Sequence, residues 1–238
     1  MRTNKILAKM RAGENAYGCS LIFPSADIIE LLGISGFDYV FLDGEHGPFS
    51  PETIEQMCRV ADAAGLTPIA RVPNIQSSTI LQFLDRGVMG IMGPHICTGE
   101  QAQALADACR FAPQGKRSFG SGRGTHYGDP VQRRQYMEKA NAEMLVIALL
   151  EDMEVISNLP DILSVEGIDF YSYGPNDLAQ SMGLPGEPEH PKVQEVMAQT
   201  TSRIRAAGKK MMSDVMVSIT ATELILNGMR EFLRNAKQ

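Results

Sequence analysis

Five side chains in this sequence have the types and the placement for chemistry on an anionic substrate: Asp43, His46, Arg71, Glu151 and Asp177. Each falls where a short apolar run ends. Asp43 closes FDYVFLD and His46 follows it in GEHGPF; Arg71 sits at the end of TPIARV, Glu151 ends MLVIALLE, and Asp177 follows DFYSYGP. A pair of carboxylates suits a hard divalent cation that keeps some of its waters, such as Mg²⁺ or Mn²⁺. The fixed, always charged fork of arginine suits a carboxylate or a developing enolate oxygen. An imidazole, titrating near neutrality, serves as acid and base. Each carboxylate also has a plain reading as a helix cap, since Asp177 lies in a first helical turn and Glu151 just before one. Their shared position with Arg71 and His46 favours one site.

The elements that would hold these groups alternate regularly. Within the stretch 37–49, the short apolar run bounded by Gly36 and Gly44 reads as a buried strand. Ser50 and Pro51 then open a helix as N-cap and first helical residue. Further strands are predicted at 18–23, 67–72, 90–96, 144–151, 169–175 and 209–215, with helices between them, and MREFLR (229–234) reads as an eighth. SITATELILNG, before it, reads as a helix ended by Gly228. Eight strands alternating with helices predict a single (β/α)8 barrel over residues 1–238, with catalytic groups at the carboxyl ends of the strands. On this reading the eighth helix is missing. The outer face of the eighth strand would then need cover from a second copy of the chain, supplied by Met1–Arg11 or by a helix pair, and a homo-oligomer is expected.

Composition narrows the function. At 44% hydrophobic and 21% charged, with a net charge of −6, the 238 residues read as a soluble globular protein without a nucleic-acid or membrane partner, although local basic pockets remain allowed. Cys19, Cys58, Cys97 and Cys109 show no CxxC pairing and read as reduced core residues of a cytoplasmic protein; no run suits a signal peptide. None of the eight lysines ends a predicted strand, which argues against a Schiff base and leaves a metal as the electron sink for any carbanion chemistry. GSGRG (120–124) lacks the GK[ST] of a P-loop and joins no strand to a helix. Glu45 reads equally as a group that orients ligands and as an exposed loop carboxylate.

Taken together, FDYVFLDGEHGPF, PIARV, ALLEDMEVISNLPDILSVEGID and YGPNDLAQSMG resemble the HpcH/HpaI aldolase family, from about Gly18 to Gly208. The resemblance implies a (β/α)8 barrel, commonly assembled as a trimer of dimers (a dimer being the simpler case), and a class II aldolase. Such an enzyme uses Mg²⁺, Mn²⁺ or Co²⁺ to cleave 4-hydroxy-2-oxo acids to pyruvate and an aldehyde. It implies Glu151 and Asp177 as metal ligands, His46 supported by Asp43 as the acid–base dyad, and Arg71 as the group on pyruvate's oxygens. Gly174, Pro175 and Asn176 are expected against the substrate. The Gly-rich segment SFGSGRGTHYGD is expected over the site entrance, with Arg117 or Arg123 near the substrate and His95 and His126 as candidate contacts. Where family members commonly have glutamine, two residues before the metal-binding glutamate, this chain has Leu149. Leu149 and the missing helix motivate a rival expectation, a weakly active or inactive barrel that binds a 2-oxo acid or only assembles. A lyase of the citrate-lyase or malyl-CoA type is the alternative within the same class.

Overall fold

The computed structural model describes residues 2–128 and 133–237; Asp129, at the end of the Gly-rich segment, lies outside them. Seven parallel strands form one sheet in the order β6-β5-β4-β3-β2-β1-β7. They are β1 (Ala16–Leu21), β2 (Tyr39–Asp43), β3 (Thr67–Arg71), β4 (Gly90–Gly93), β5 (Leu145–Leu150), β6 (Phe170–Tyr173) and β7 (Met216–Thr220). Helix α1 (Lys5–Ala12) precedes the sheet. Helices α2 (Ala26–Ile34), α3 (Pro51–Ala63), α4 (Ser77–Asp85), α5 (Gly99–Cys109), α6 (Arg133–Ala142) and α7 (Val155–Ser164) join consecutive strands up to β6. After β6 come α8 (Pro175–Ser181) and α9 (Pro191–Ala206), and after β7 comes α10 (Ala221–Ala236). Local chemistry sets several helix starts: Ser25 and Ser50 accept main-chain N–H bonds as N-caps, and Thr98 with Gln101 forms a capping box.

The strand period of two divides the core. One set of side chains, including Cys19, Val40, Ala70, Ile91 and Val146, packs under the helices. The alternate set (Ala16, Tyr39, Ile69, Met92, Ile147, Phe170 and Met216) forms a single cluster drawn from all seven strands, which a flat sheet could not bring together. Main-chain bonds show the curl directly. The Tyr171 amide donates to Lys210 O at 3.0 Å and the Ala16 amide to Val215 O at 2.8 Å, so five residue steps, from Lys210 to Val215, reach from one edge of the sheet to the other. Five such steps span at most about 18 Å. Between these bonds, the run 209–215 makes one parallel bridge, Met211 with Tyr171, and then a 3₁₀ turn at Met212–Asp214 in place of the expected strand.

The carboxyl end corrects the reading of the last two elements. Ser218, Ile219 and Thr220, read as the start of a helix, are instead part of β7, paired with β1 from Ala16↔Met216 to Ser20↔Thr220. MREFLR is helical, part of the 16-residue α10, so the last strand is followed by a helix and no helix is missing there. Apolar residues at 225, 226, 229, 232 and 233 recur at helical spacing straight through Gly228, and one exposed glycine costs only about 1 kcal/mol. The N-terminal segment is also committed within its own chain. Ile6 and Leu7 are buried, and the Asn4 side chain donates to Met89 O and Glu143 O while capping α1. Its apolar face is therefore occupied within its own chain.

Candidate active site

Parallel register brings the first pair together: Asp43 and Arg71, the last residues of β2 and β3, are direct neighbours. Arg71 Nε donates to Asp43 Oδ1 at 3.0 Å and Nη2 to Oδ2 at 2.6 Å, a two-bond fork. Asp43 Oδ1 also accepts the main-chain amides of Glu45 and His46, each at 3.2 Å, which folds the loop back over the strand end. Gly44 permits this close approach, since a Cβ there would lie 2.7 Å from Arg71 O. Burial alone would raise the Asp43 pKa; the Arg71 guanidinium and the two amides outweigh it and hold the carboxyl below its ordinary value. Asp43 thus positions His46 through the main chain, and its carboxylate oxygens are engaged by Arg71 and these amides. The His46 side chain is exposed and lines the cavity beside Arg71.

Glu45, open between two readings in sequence, joins the site. Its Oε2 lies 3.1 Å from Arg71 Nη1, and only 15% of its side chain is exposed. Arg71 is therefore gripped from two sides, yet its side chain still opens to the cavity.

Glu151 follows the last residue of β5 and is buried. One oxygen, Oε1, accepts the His95 amide at 2.9 Å; the other, Oε2, is buried with no hydrogen-bond partner among the described residues. Gly174 faces it so closely that a Cβ at 174 would overlap Oε2. Asp177, in the first turn of α8, raises the Glu151 pKa through its charge. Burial is the larger cause of that rise, Glu45 adds to it, and the His95 amide and ring act against it. A buried carboxylate oxygen without a donor, beside a second carboxylate, fits a bound cation. Among the described residues no group of three or more His, Cys, Asp or Glu could hold a metal. The fit is accordingly to a hard cation with two protein carboxylates and waters, as Mg²⁺ binds, and not to an all-protein cage.

His95 was expected at the substrate; its position also makes it an organiser of the acidic rim. Its φ of 52° is left-handed, rare for a residue with a side chain, and aims its amide at Glu151. The ring Nδ1 lies 3.1 Å from Asp152 Oδ2, and Nε2 is 4.0 Å from Glu45 Oε1. Partial burial would lower the His95 pKa, but Asp152, Glu151 and Glu45 together raise it. Sequence spacing gave no sign of this arrangement, because three separate loops, after β2, β4 and β5, contribute to it.

Some of these groups border a cavity of about 320 Å³ at the carboxyl end of the sheet, while Asp43, Glu45, Glu151 and His95 lie behind its lining. Arg71, His46 and Asp177 line it together with the Gly174–Pro175–Asn176 turn, as expected. Leu149, Met92 and Phe41 give it apolar walls. Arg117, Arg123 and His126 are elsewhere. They line a separate cavity with Arg2, Asp62 and Met89, the last just before β4, so the Gly-rich segment lies toward the amino-terminal end of its own sheet.

Fold and site define an α/β enzyme with its reactive groups on the carboxyl rim of a parallel sheet. The chain belongs to the HpcH/HpaI aldolase/citrate lyase family, whose model matches residues 18–237. It is 35% identical over 208 residues to a hydroxypyruvate/pyruvate aldolase of Roseobacter denitrificans, covering 87% of this chain and 80% of that protein. It is 34% identical to a 4-hydroxy-2-oxo-heptane-1,7-dioate aldolase of Shigella sonnei, covering 87% and 78%. Among solved structures, a family protein from Burkholderia cenocepacia superposes with a TM-score of 0.89 at 27% identity, over 99% of this chain and 100% of that one. The citrate synthase SbnG superposes with a TM-score of 0.84 at 28% identity, over 97% and 96%.

Proposed function

We propose that this chain is a class II pyruvate aldolase, cleaving a 4-hydroxy-2-oxo acid to pyruvate and an aldehyde. The observation that carries this reading is the buried, partnerless Oε2 of Glu151 beside Asp177, on the same rim as Arg71 and His46. Glu151 and Asp177 would hold Mg²⁺, Mn²⁺ or Co²⁺, which supplies fixed positive charge against an enolate oxygen. In cleavage, His46 takes the proton of the 4-hydroxyl and the C3–C4 bond breaks. The 4-carbon leaves as the aldehyde, and the bonding pair passes to the 2-oxo oxygen as an enolate. Arg71, held by Asp43 and Glu45, presents its charge to the carboxylate and oxyanion of that fragment without reorganising. Proton return to C3 completes pyruvate. Metal-dependent pyruvate release from a panel of 4-hydroxy-2-oxo acids tests the reading; no release with any of the three metals overturns it, in favour of a binding-only barrel.

The likeness to a citrate synthase favours one second reading, in which the same rim stabilises the enolate of an acetyl thioester, which adds to the ketone carbon of oxaloacetate before the thioester is hydrolysed. Citrate formation from suitable carbon fragments separates the two.

The assembled shape is read here as a full (β/α)8 barrel whose seventh position is the Met211 bridge. A homo-oligomer, dimer or hexamer, is proposed on a new ground, since no helix is missing after the last strand. Along α10 only Ala221 is buried, while Leu224, Ile225, Leu226, Met229, Phe232 and Leu233 are 38–71% exposed. Such a continuous apolar stripe needs a partner. A cytoplasmic location is supported by four free, buried cysteines. No helix among the described residues is long and apolar enough to cross a membrane.

A further inference from the structure

Arg117 and Arg123, expected near the substrate, instead converge with Arg2 and Arg59 on a second cavity of about 370 Å³ that shares no lining residue with the first. Their charges are incompletely matched. Arg59 pairs with Glu55 and Arg117 with Asp85, whereas Arg2 and Arg123 both bond the single carboxylate of Asp62. Four guanidiniums thus face three carboxylates among the described residues. Arg117 is the telling one. Its side chain is 2% exposed, yet its Nε has no hydrogen-bond partner, and its guanidinium carbon stacks 4.6 Å from the Phe111 ring centre. Burying a guanidinium N–H without an acceptor is costly, and a ligand oxygen would remove the cost. Room is also reserved for Arg123. Gly87, at φ 105°, stands where any Cβ would collide with Arg123 Nη1.

We propose that this cavity binds a phosphate group. A phosphate carries about −1.5 to −2 charge at pH 7 and three oxygens pointing apart, which suits several guanidinium forks that approach from different elements. One carboxylate would satisfy a single fork. The volume leaves space beyond the phosphate itself, so the group is either free phosphate or the phosphate of a small phosphomonoester.

Calorimetric titration of the full chain with inorganic phosphate, at constant ionic strength, tests this. Saturable binding is expected, weakened roughly tenfold or more by Arg117→Gln and by Arg59→Gln, the usual scale for losing a charge-assisted bond. Arg71→Gln should leave it unchanged. If Arg117→Gln fails to fold, Arg59→Gln decides, because that side chain is 53% exposed. Glycerol 3-phosphate binding more tightly than phosphate identifies a phosphomonoester site, and equal binding identifies free phosphate. Unsaturable binding, wild-type affinity in the Arg59 and Arg117 variants, loss that follows Arg71, or equal binding of succinate would each overturn the proposal.

Discussion

The main-chain amide of His95 donates to Oε1 of Glu151 at 2.9 Å and leaves Oε2 of the same carboxylate buried without a donor. One oxygen is fixed by the protein; the other is held for something the protein does not supply. Glu151→Gln should therefore abolish cation binding and metal-dependent turnover while the fold persists. Gly174→Ala should also weaken the cation, because its Cβ would displace Oε2 although no ligand is removed. Titration with Mn²⁺ reads both variants, and wild-type affinity in Glu151→Gln would sink the assignment.

His46 lines the cavity but makes no ion pair among the described residues, so its removal should be felt mainly in the chemical step. His46→Ala is expected to lower turnover by roughly 10²–10⁴-fold, with pyruvate and metal binding largely kept. Arg71→Lys should weaken pyruvate binding as well, since an ammonium cannot reproduce the fork. Unchanged turnover in His46→Ala would remove it from catalysis.

The Asp43–Arg71 pair has a pH signature. Arg71 and two amides depress the folded-state pKa of Asp43 despite the burial that opposes them. A depressed carboxylate contributes stability above its unfolded pKa of about 3.9 and loses that contribution as pH falls through the lower folded value. Asp43→Asn should cost about 3 kcal/mol near neutrality, toward the low end for a buried pair because Arg71 opens to the cavity. Denaturant unfolding across pH should show the gap between variant and wild type narrowing below about pH 4. A gap that widens on acidification would contradict the assignment.

The stripe on α10 predicts the assembly state. Phe232→Asp with Leu233→Asp places two charges where partner packing is proposed and should dissociate the oligomer without unfolding the exposed helix. Sedimentation velocity at micromolar concentration checks this. A wild-type chain that runs as a monomer there would rule the proposal out.

How much of this was legible in the sequence depended on the element. Strands β1 to β6 were readable because each is a short apolar run flanked by turn residues, and Asp43, Arg71 and Glu151 were found simply by taking the polar residue at each strand's end. The last strand was hidden because Ser218 and Thr220 make it polar, and because Thr220 is at once a strand end and the N-cap of α10. Gly228 then looked like a terminator in the middle of a helix. The partners of the site residues were harder still. Nothing local indicates that Asp43 would spend its carboxylate on a guanidinium 28 residues away, or that His95 would turn left-handed to reach Glu151. Both depend on strand register and loop crossings that exist only once the sheet is curled.

That curl leaves a seam. From Lys210 to Val215 the wall between β6 and β7 consists of one β-bridge, a 3₁₀ turn and bonds at its two ends, while β2 to β5 are laced to neighbours along their lengths. Met212, on the turn, also lines the catalytic cavity. Protection against amide exchange follows local hydrogen bonding, so exchange is expected to be faster along this stretch than along the fully paired strands.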